Sequence, residues 1–350
     1  MEDFLSQTPK INKYSNKKRL AAVAAIVVVV GALAVFYSWD SSIRNEQVLI
    51  DIELEKAEFD EFLDRFGKNY KDEEEYIKRF NIFRTNSAYI RVQNTMLTTW
   101  TMAINMFADM THDEFASSYL GTKVNFKPRI ETEFPKIKIP SSVDWRTSSK
   151  VTPVKNQGQC GSCWAFSAAA AIESAVAIKG KGLYSLSQQQ LVDCSSSYGN
   201  GGCDGGWMNY AFDYVINKGL TKESNYPYTG VVGLCNTANE SNSPTKISTY
   251  VNVKASDSTQ LLNAIAITPV VVGVDATNWG YYSTGIISSS TCGTSVNHGV
   301  VVVGYNQSSK YYIVKNSWGT LWGESGYIKV KIESGAGACG IQLYPSYPVA

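Results

Sequence analysis

All seven cysteines of this 350-residue chain lie after residue 159, at positions 160, 163, 194, 203, 235, 292 and 339. This divides the chain into a first part that no disulfide can brace and a second part that three bridges could hold together. An odd count in an oxidising compartment leaves one thiol over. Six cysteines can pair in about 15 ways, and spacing alone does not choose among them.

That compartment is indicated near the start. Leu20 to Tyr37 carries no charge, follows Lys17, Lys18 and Arg19, and precedes Asp40. It reads as a signal anchor over residues 20–37 with a cytosolic basic leader at 1–19, making the precursor a single-pass membrane protein. A cleavable signal peptide is the rival, because Ala32-Leu33-Ala34 fits the small-x-small cleavage pattern. The apolar run continues through Tyr37 and the polar leader is long, which favours the anchor. Either way the remainder reaches a lumen or exterior where disulfides persist.

Within Gln157-Gly-Gln-Cys-Gly-Ser-Cys-Trp164, Cys163 stands where a run of helix formers begins (Ala165, Phe166, Ala168 to Ala171, Ile172, Glu173). Free backbone N–H groups and the positive end of the helix dipole favour a thiolate there. Cys160 and Cys163 also have the spacing of a redox dithiol or of half a zinc site. A zinc site needs a second ligand pair, and no other cysteine pair or histidine cluster has suitable spacing. The context does not resemble the first strand–helix unit of a thioredoxin-like domain.

A content of 44% hydrophobic residues can bury a sizeable core in two or three domains or lobes. The net charge of +1 offers nothing to nucleic acid. Residues 40–138 hold 18 acidic and 14 basic residues, net −4, against 11 and 13, net +2, in residues 139–350. Opposite signs suit two segments that bind each other.

Residues 46–94 read as helical, with Gly67 and Asn69 breaking the pattern and a second helix starting near Asp72. Glu75, Arg79, Phe83, Asn86, Ile90 and Asn94 fall within about 100° of one helical face. A stripe mixing charge, amide and ring suits a specific internal junction. Thr111-His112-Asp113-Glu114 reads as a capping box, with His112 an exposed loop residue. Residues 122–138 read as an extended linker. After about residue 245, β-branched runs at Val270 to Val274, Gly299 to Tyr305, Tyr311 to Lys315 and Gly326 to Lys331 predict strands.

The stripe resembles the prosegment signature of papain-like cysteine proteases of the cathepsin L-like group. Asn105, Phe107 and Asp109 resemble that family's second prosegment motif, with Ala103 where glycine is usual. Pro140, Val143, Asp144, Trp145 and Arg146, the Cys163 loop, Cys203-Asp204-Gly205-Gly206-Trp207-Met208, Asn297-His298-Gly299 and Asn316-Ser317-Trp318-Gly319 follow in the family's order. Gln188 stands where the family usually has glutamate.

The resemblance implies an α+β, papain-like two-lobe fold, with a mainly helical lobe at 139–245 and a mainly β lobe at 246–350. An inhibitory prosegment at 46–121 would precede it, its linker crossing the cleft against the substrate direction until cut between about Phe134 and Pro140. It implies the bridges Cys160–Cys203, Cys194–Cys235 and Cys292–Cys339, leaving Cys163 as nucleophile. His298, the one histidine after residue 112, would be its partner, Asn316 would orient His298, and Trp318 would shield that bond. Gln157 would hold the oxyanion. Gly205 and Gly206 would line the cleft, and Trp207, Met208, Gly273, Val296, Gly299 and Tyr344 the S2 pocket, Gly273 adding width.

The expected activity is a cysteine endopeptidase acting on proteins and peptides through a thioester, with hydrophobic P2 residues preferred and no metal or organic cofactor. The partners are substrates, the chain's own prosegment and the membrane through 20–37; nucleic acid is excluded, and the mature form is expected to be a monomer. A lysosome-like acidic compartment or secretion is expected, with acid weakening the prosegment's hold. Asn239 and Asn306 open sequons for glycosylation. The alternatives are a thiol–disulfide oxidoreductase using Cys160 and Cys163, and an inactive papain-like binding or inhibitory protein.

Overall fold

The computed structural model describes residues 44, 47–48, 50–122, 130–135, 138–238 and 245–350. Residues 20–37 and Asn239 lie outside them. Among the described residues no helix is long and apolar enough to cross a membrane. The chain divides into a unit ending at Arg65 and a unit from Phe66 to Ala350. Residues 50–66 form helix α1, nearly all of it in the first unit, and on it the Phe59 and Phe62 rings stack at 5.8 Å.

Gly67, the second residue of the second unit, has a φ of +61° that ends the helical path. Asp72 then caps α2 (Glu73–Met96), its side chain accepting from Glu75 N, and three glutamates in the first turn face the positive helix end. Next come β1 (Trp100–Met102) and α3 (His112–Tyr119), which begins with a complete capping box between Thr111 and Glu114. His112 is exposed, and it is the first residue of that helix rather than part of a loop.

Then follow β2 (Ser142–Asp144), α4 (Cys163–Ile178), α5 (Gln188–Cys194) and α6 (Met208–Lys218). The remainder holds β3 (Thr249–Asn252), α7 (Ser258–Ile267), β4 (Val270–Val274), β5 (Tyr282–Ile287), β6 (His298–Asn306), β7 (Tyr311–Lys315), β8 (Tyr327–Lys331) and β9 (Ser346–Val349). The architecture is α+β. Its sheet runs β1-β5-β8-β7-β6-β4-β9-β3, with β2 also paired to β6. All these pairs are antiparallel except β5 with β8.

The valine runs lack polar alternation because both faces of β4 and β6 are covered. On β6, Val300 and Val302 enter the core that holds Trp318, Trp322 and Phe107, while Val301 and Val303 enter the core around α4 and α6. α4 is buried along nearly its whole length, since it lies between the sheet and the other helices. This fixes His298, at the start of β6, and Cys163, at the start of α4, on two closely packed elements.

The expected division between helix and strand is only approximate. β1, on the prosegment side, joins the sheet by pairing with β5, and β2 pairs with β6. In the other direction, α7 interrupts the β-rich half, capped by Asp257 at Thr259 N and Gln260 N.

Candidate active site

Cys163 is the first residue of α4, and its cap residue Ser162 makes no side-chain capping bond. The thiol is free and fully buried. Its sulfur lies 3.3 Å from Thr122 Oγ1 and accepts from Gly299 N at 3.5 Å. Burial pushes the Cys163 thiol up, but the His298 charge and hydrogen-bonding contact, with Thr122 and Gly299, outweigh burial and leave it lowered from 9.0 to about 7. Because His298 Nδ1 makes no hydrogen bond of standard geometry, the ring acts on the sulfur chiefly through charge.

His298 is fixed from its other nitrogen. Nε2 lies 2.8 Å from Asn316 Oδ1, and Ser317 N donates to the same oxygen at 2.8 Å. A backbone N–H must meet an acceptor, so that atom is the amide oxygen and Nε2 is the donor. Nδ1 is left as the nitrogen for the sulfur. Trp318 lies over the ring at 4.7 Å and is itself fully buried. Phe107, Phe115 and Tyr119 pack edge-on against Trp318 at 5.5, 5.3 and 6.5 Å.

Gln157 is buried, with Oε1 accepting from Ser317 Oγ at 2.7 Å. Its Nε2 donates to Cys160 O at 2.9 Å and to Tyr119 O at 3.3 Å. Tyr228, which the sequence analysis did not single out, supports this loop. Its hydroxyl donates to Gln157 O at 2.7 Å and meets Ser162 Oγ at 2.7 Å.

Gly121 and Thr122 occupy the cleft. Gly206 N donates to Gly121 O and Thr122 N donates to Asn297 O, both at 3.0 Å. The bridge between Thr122 and Gly206 is parallel. A Cβ on Gly121 would fall on the Gly161 backbone, so only glycine allows this approach. Residue 122 was expected to open an extended linker that crosses the cleft, but Gly-Thr before a basic stretch carries too little local pattern to reveal contact with the sulfur.

Trp207 and Tyr344 meet edge-to-face at 5.5 Å. Trp207 and Met208 are fully buried, Tyr344 and Val296 partly so. A Cβ on Gly273 would come within 2.6 Å of Val296 Cγ1 and 3.0 Å of Trp207 Cη2. Gly273 therefore admits those two side chains rather than adding width, contrary to the expectation. A Cβ on Gly299 would come within 2.9 Å of Met208 Sδ. Gly205 turns the strip at a φ of +108°, its carbonyl accepting from Gly201 N at 2.7 Å.

The bridges are Cys160–Cys203, Cys194–Cys235 and Cys292–Cys339. A Cys160/Cys163 redox dithiol is thereby excluded, since Cys160 is occupied. Asn306, part-buried at the end of β6, accepts from Ser309 N at 2.9 Å.

The stripe on α2 is a row of clamps. Arg79 binds Glu75 at 2.6 Å, both oxygens of Glu114 at 2.7 and 3.0 Å, and Asp109 O at 2.9 Å. Asn86 Nδ2 donates to Ala108 O at 2.8 Å and Met110 O at 2.9 Å, and Asn94 exchanges two bonds with the Met102 backbone. Phe83 and Ile90 are buried between them. Asp109 accepts from Lys68 and Tyr70, each at 2.8 Å. Asn105 Nδ2 reaches Gly280 O at 2.7 Å, and its Oδ1 accepts from Phe107 N. The opposite net charges led us to expect ion pairs between residues 40–138 and 139–350, but the Arg79 and Lys68 pairs stay within the first stretch. Lys254–Glu133 at 3.0 Å does cross.

The papain family cysteine protease model matches residues 139–349, and the cathepsin propeptide inhibitor domain (I29) matches residues 59–115. Fruit bromelain of Ananas comosus is 41% identical over 303 residues, covering 83% of this chain and 85% of its own. Vignain of Ricinus communis is 43% identical over 289 residues, covering 78% and 80%. The structure of digestive procathepsin L 3 from Tenebrio molitor larval midgut superposes with a TM-score of 0.78 at 40% identity, covering 85% of this chain and 99% of that one. A buried thiol at a helix start, a histidine held by an asparagine and a segment lying over both thus belong together: this chain is a member of the papain family of cysteine proteases and carries that family's inhibitory propeptide domain.

Proposed function

We propose that Cys163, His298, Asn316 and Gln157 carry out peptide-bond cleavage once residues 119–122 leave the cleft, with a hydrophobic residue preferred at P2. The observation that carries this reading is the His298 ring, held by Asn316 Oδ1 at 2.8 Å and the largest of the influences that lower the Cys163 thiol.

The thiolate attacks the scissile carbonyl carbon, and its electron pair moves onto the carbonyl oxygen. Gln157 Nε2, now given to Tyr119 O and Cys160 O, and the Cys163 N–H receive that oxyanion, at about 3–4 kcal/mol per donor. The tetrahedral adduct collapses, the C–N bond breaks, and imidazolium His298 protonates the leaving amine. Water then attacks the thioester with His298 as base, releasing the acid and restoring the thiol–imidazole pair. Asn316 keeps the proton on Nε2, and Trp318 keeps water from that bond.

At P2, the six side chains and glycines assigned to the pocket offer no carboxylate, and Tyr344 closes on Trp207 edge-to-face. A P2 arginine would be buried unpaired. The peptidase part begins between about Phe134 and Pro140. The enzyme acts in an acidic lumen or outside the cell, the precursor being tethered by residues 20–37. Hydrolysis of matched fluorogenic dipeptides with P2 Leu or P2 Arg by acid-treated protein, beside Cys163→Ala, tests this. The expected result is turnover of the Leu substrate at least about tenfold faster and none in the variant. A preference for Arg would overturn the pocket assignment, and no turnover by fully processed wild type would favour a binding role.

A further inference from the structure

Behind Asn316 lies a small cavity with apolar walls at Phe166, Ala170 and Val301 and polar groups at Glu173, Gln188, Lys315, Asn316 and Ser317. It offers about 20 Å³ to the centre of a water molecule, and one buried water needs about 10–15 Å³ by that measure. Gln188 and Asn316 are 1% and 3% exposed. Each ends in an atom without a protein partner: Oε1 of Gln188, an acceptor, and Nδ2 of Asn316, a donor. Buried polar atoms are rarely left unpaired, and a donor and an acceptor lining one water-sized space are complementary.

We infer that one buried water accepts from Asn316 Nδ2 and donates to Gln188 Oε1, which makes Gln188 a positioning residue for the catalytic asparagine. The inference rests on the reading that Asn316 orients His298. The water is an acceptor for the end of the amide that His298 does not use. Only with Nδ2 turned towards the cavity does Oδ1 face His298 Nε2 and Ser317 N. An amide turned the other way would present N–H groups to a ring nitrogen that must itself donate. Gln188 is held for this task in the first turn of α5, whose N-cap Ser187 accepts from Gln190 N. The other charged groups at the cavity are already engaged. Lys315 Nζ donates to Thr152 O at 2.8 Å and to Thr152 Oγ1 at 2.9 Å. Glu173 takes Thr152 Oγ1 at 2.5 Å and Leu186 N at 2.7 Å, with Lys155 at 3.4 Å.

The test compares wild type, Gln188→Leu, Gln188→Glu and Asn316→Ala as acid-processed full chains, with kcat and KM measured across pH and folding checked by thermal unfolding. Gln188→Leu is expected to lower kcat about five- to tenfold, the effect of one hydrogen bond, with KM unchanged. Gln188→Glu keeps an acceptor and is expected to restore most of that loss. A crystal structure of the wild type is expected to show one water within 3.2 Å (about the hydrogen-bond limit) of both atoms, which decides the matter even if Gln188→Leu does not fold. A cavity with no such water, or a folded Gln188→Leu with wild-type kcat, would overturn the inference. If Asn316→Ala retains wild-type kcat, the orienting role itself fails; loss there beside an unaffected Gln188→Leu defeats the water bridge alone.

Discussion

The prosegment from Phe66 onwards and the peptidase part belong to one unit but satisfy their buried groups by different means. From Lys68 to Thr122 the structure depends on side-chain clamps: Arg79 on Glu75 and Glu114, Asn86 and Asn94 on backbone, Asp109 under Lys68 and Tyr70. It contains no cysteine. The peptidase part has three disulfides and a sheet whose central strands are apolar on both faces. In the first set the Arg79, Lys68 and Tyr70 bonds end on carboxylates and weaken when these gain protons, whereas the Asn86 and Asn94 clamps, like the disulfides and apolar strands of the second set, do not titrate.

Replacing both Cys292 and Cys339 by alanine should have the largest effect. It opens a loop of 47 residues and should cost the peptidase part about 3–4 kcal/mol, seen as a lower denaturation midpoint of the processed enzyme. An unchanged midpoint would mean that the sheet alone carries that region.

Arg79→Leu leaves Glu114 and Asp109 O without their shared donor. The expected cost is about 2–3 kcal/mol, confined to the prosegment and read as faster conversion of the zymogen at a given pH. If the Arg79→Leu zymogen converts no faster than wild type, the clamp does not hold the prosegment in place.

Gly121→Val should force the strand away from Gly161, at a cost of about 1–3 kcal/mol in overpacking. The zymogen should then leak activity against small substrates before any cleavage of its own chain. A tightly silent Gly121→Val zymogen would show that residues 119–122 do not hold the cleft closed.

The smallest effect concerns pH. Burial pushes the Glu114 carboxyl up, but Arg79 and the Thr111 backbone outweigh it and hold it below its ordinary 4.5. A depressed carboxyl stabilises the folded state fully above its unfolded value, and that contribution is lost as pH falls through the native one. Glu114 should therefore release its hold only below about pH 4.5, by about 1 kcal/mol. Glu114→Gln should flatten the acid dependence of conversion there, and an unaltered profile would assign acid sensing to other groups.

Much of the site was legible in the sequence because its chemistry needs particular residue types. Cys163 before a helix-forming run, a lone downstream histidine and Asn316 beside Trp318 carry their meaning locally. The α2 stripe was legible for the same reason, since side chains that share a face at helical spacing must meet one partner. Thr122 was not, because a hydroxyl touches the sulfur only once the strand is laid in the cleft. β1 and β2 were missed because three-residue strands are specified by the edges they join. α7 was missed because its apolar residues resemble a strand until Asp257 is seen to cap them.

The sequence by itself determined a cysteine at a helix start, a single histidine downstream of it and a helix stripe suited to bind elsewhere in the chain, since helix position, ionisable groups and periodicity are local properties. Only the tertiary structure decided which cysteines pair, that Gly273 admits Trp207 and Val296 instead of leaving space, and that the prosegment's charges mostly clamp its own fold. Those outcomes depend on distances between residues remote in sequence, which are set when the sheet and helices pack.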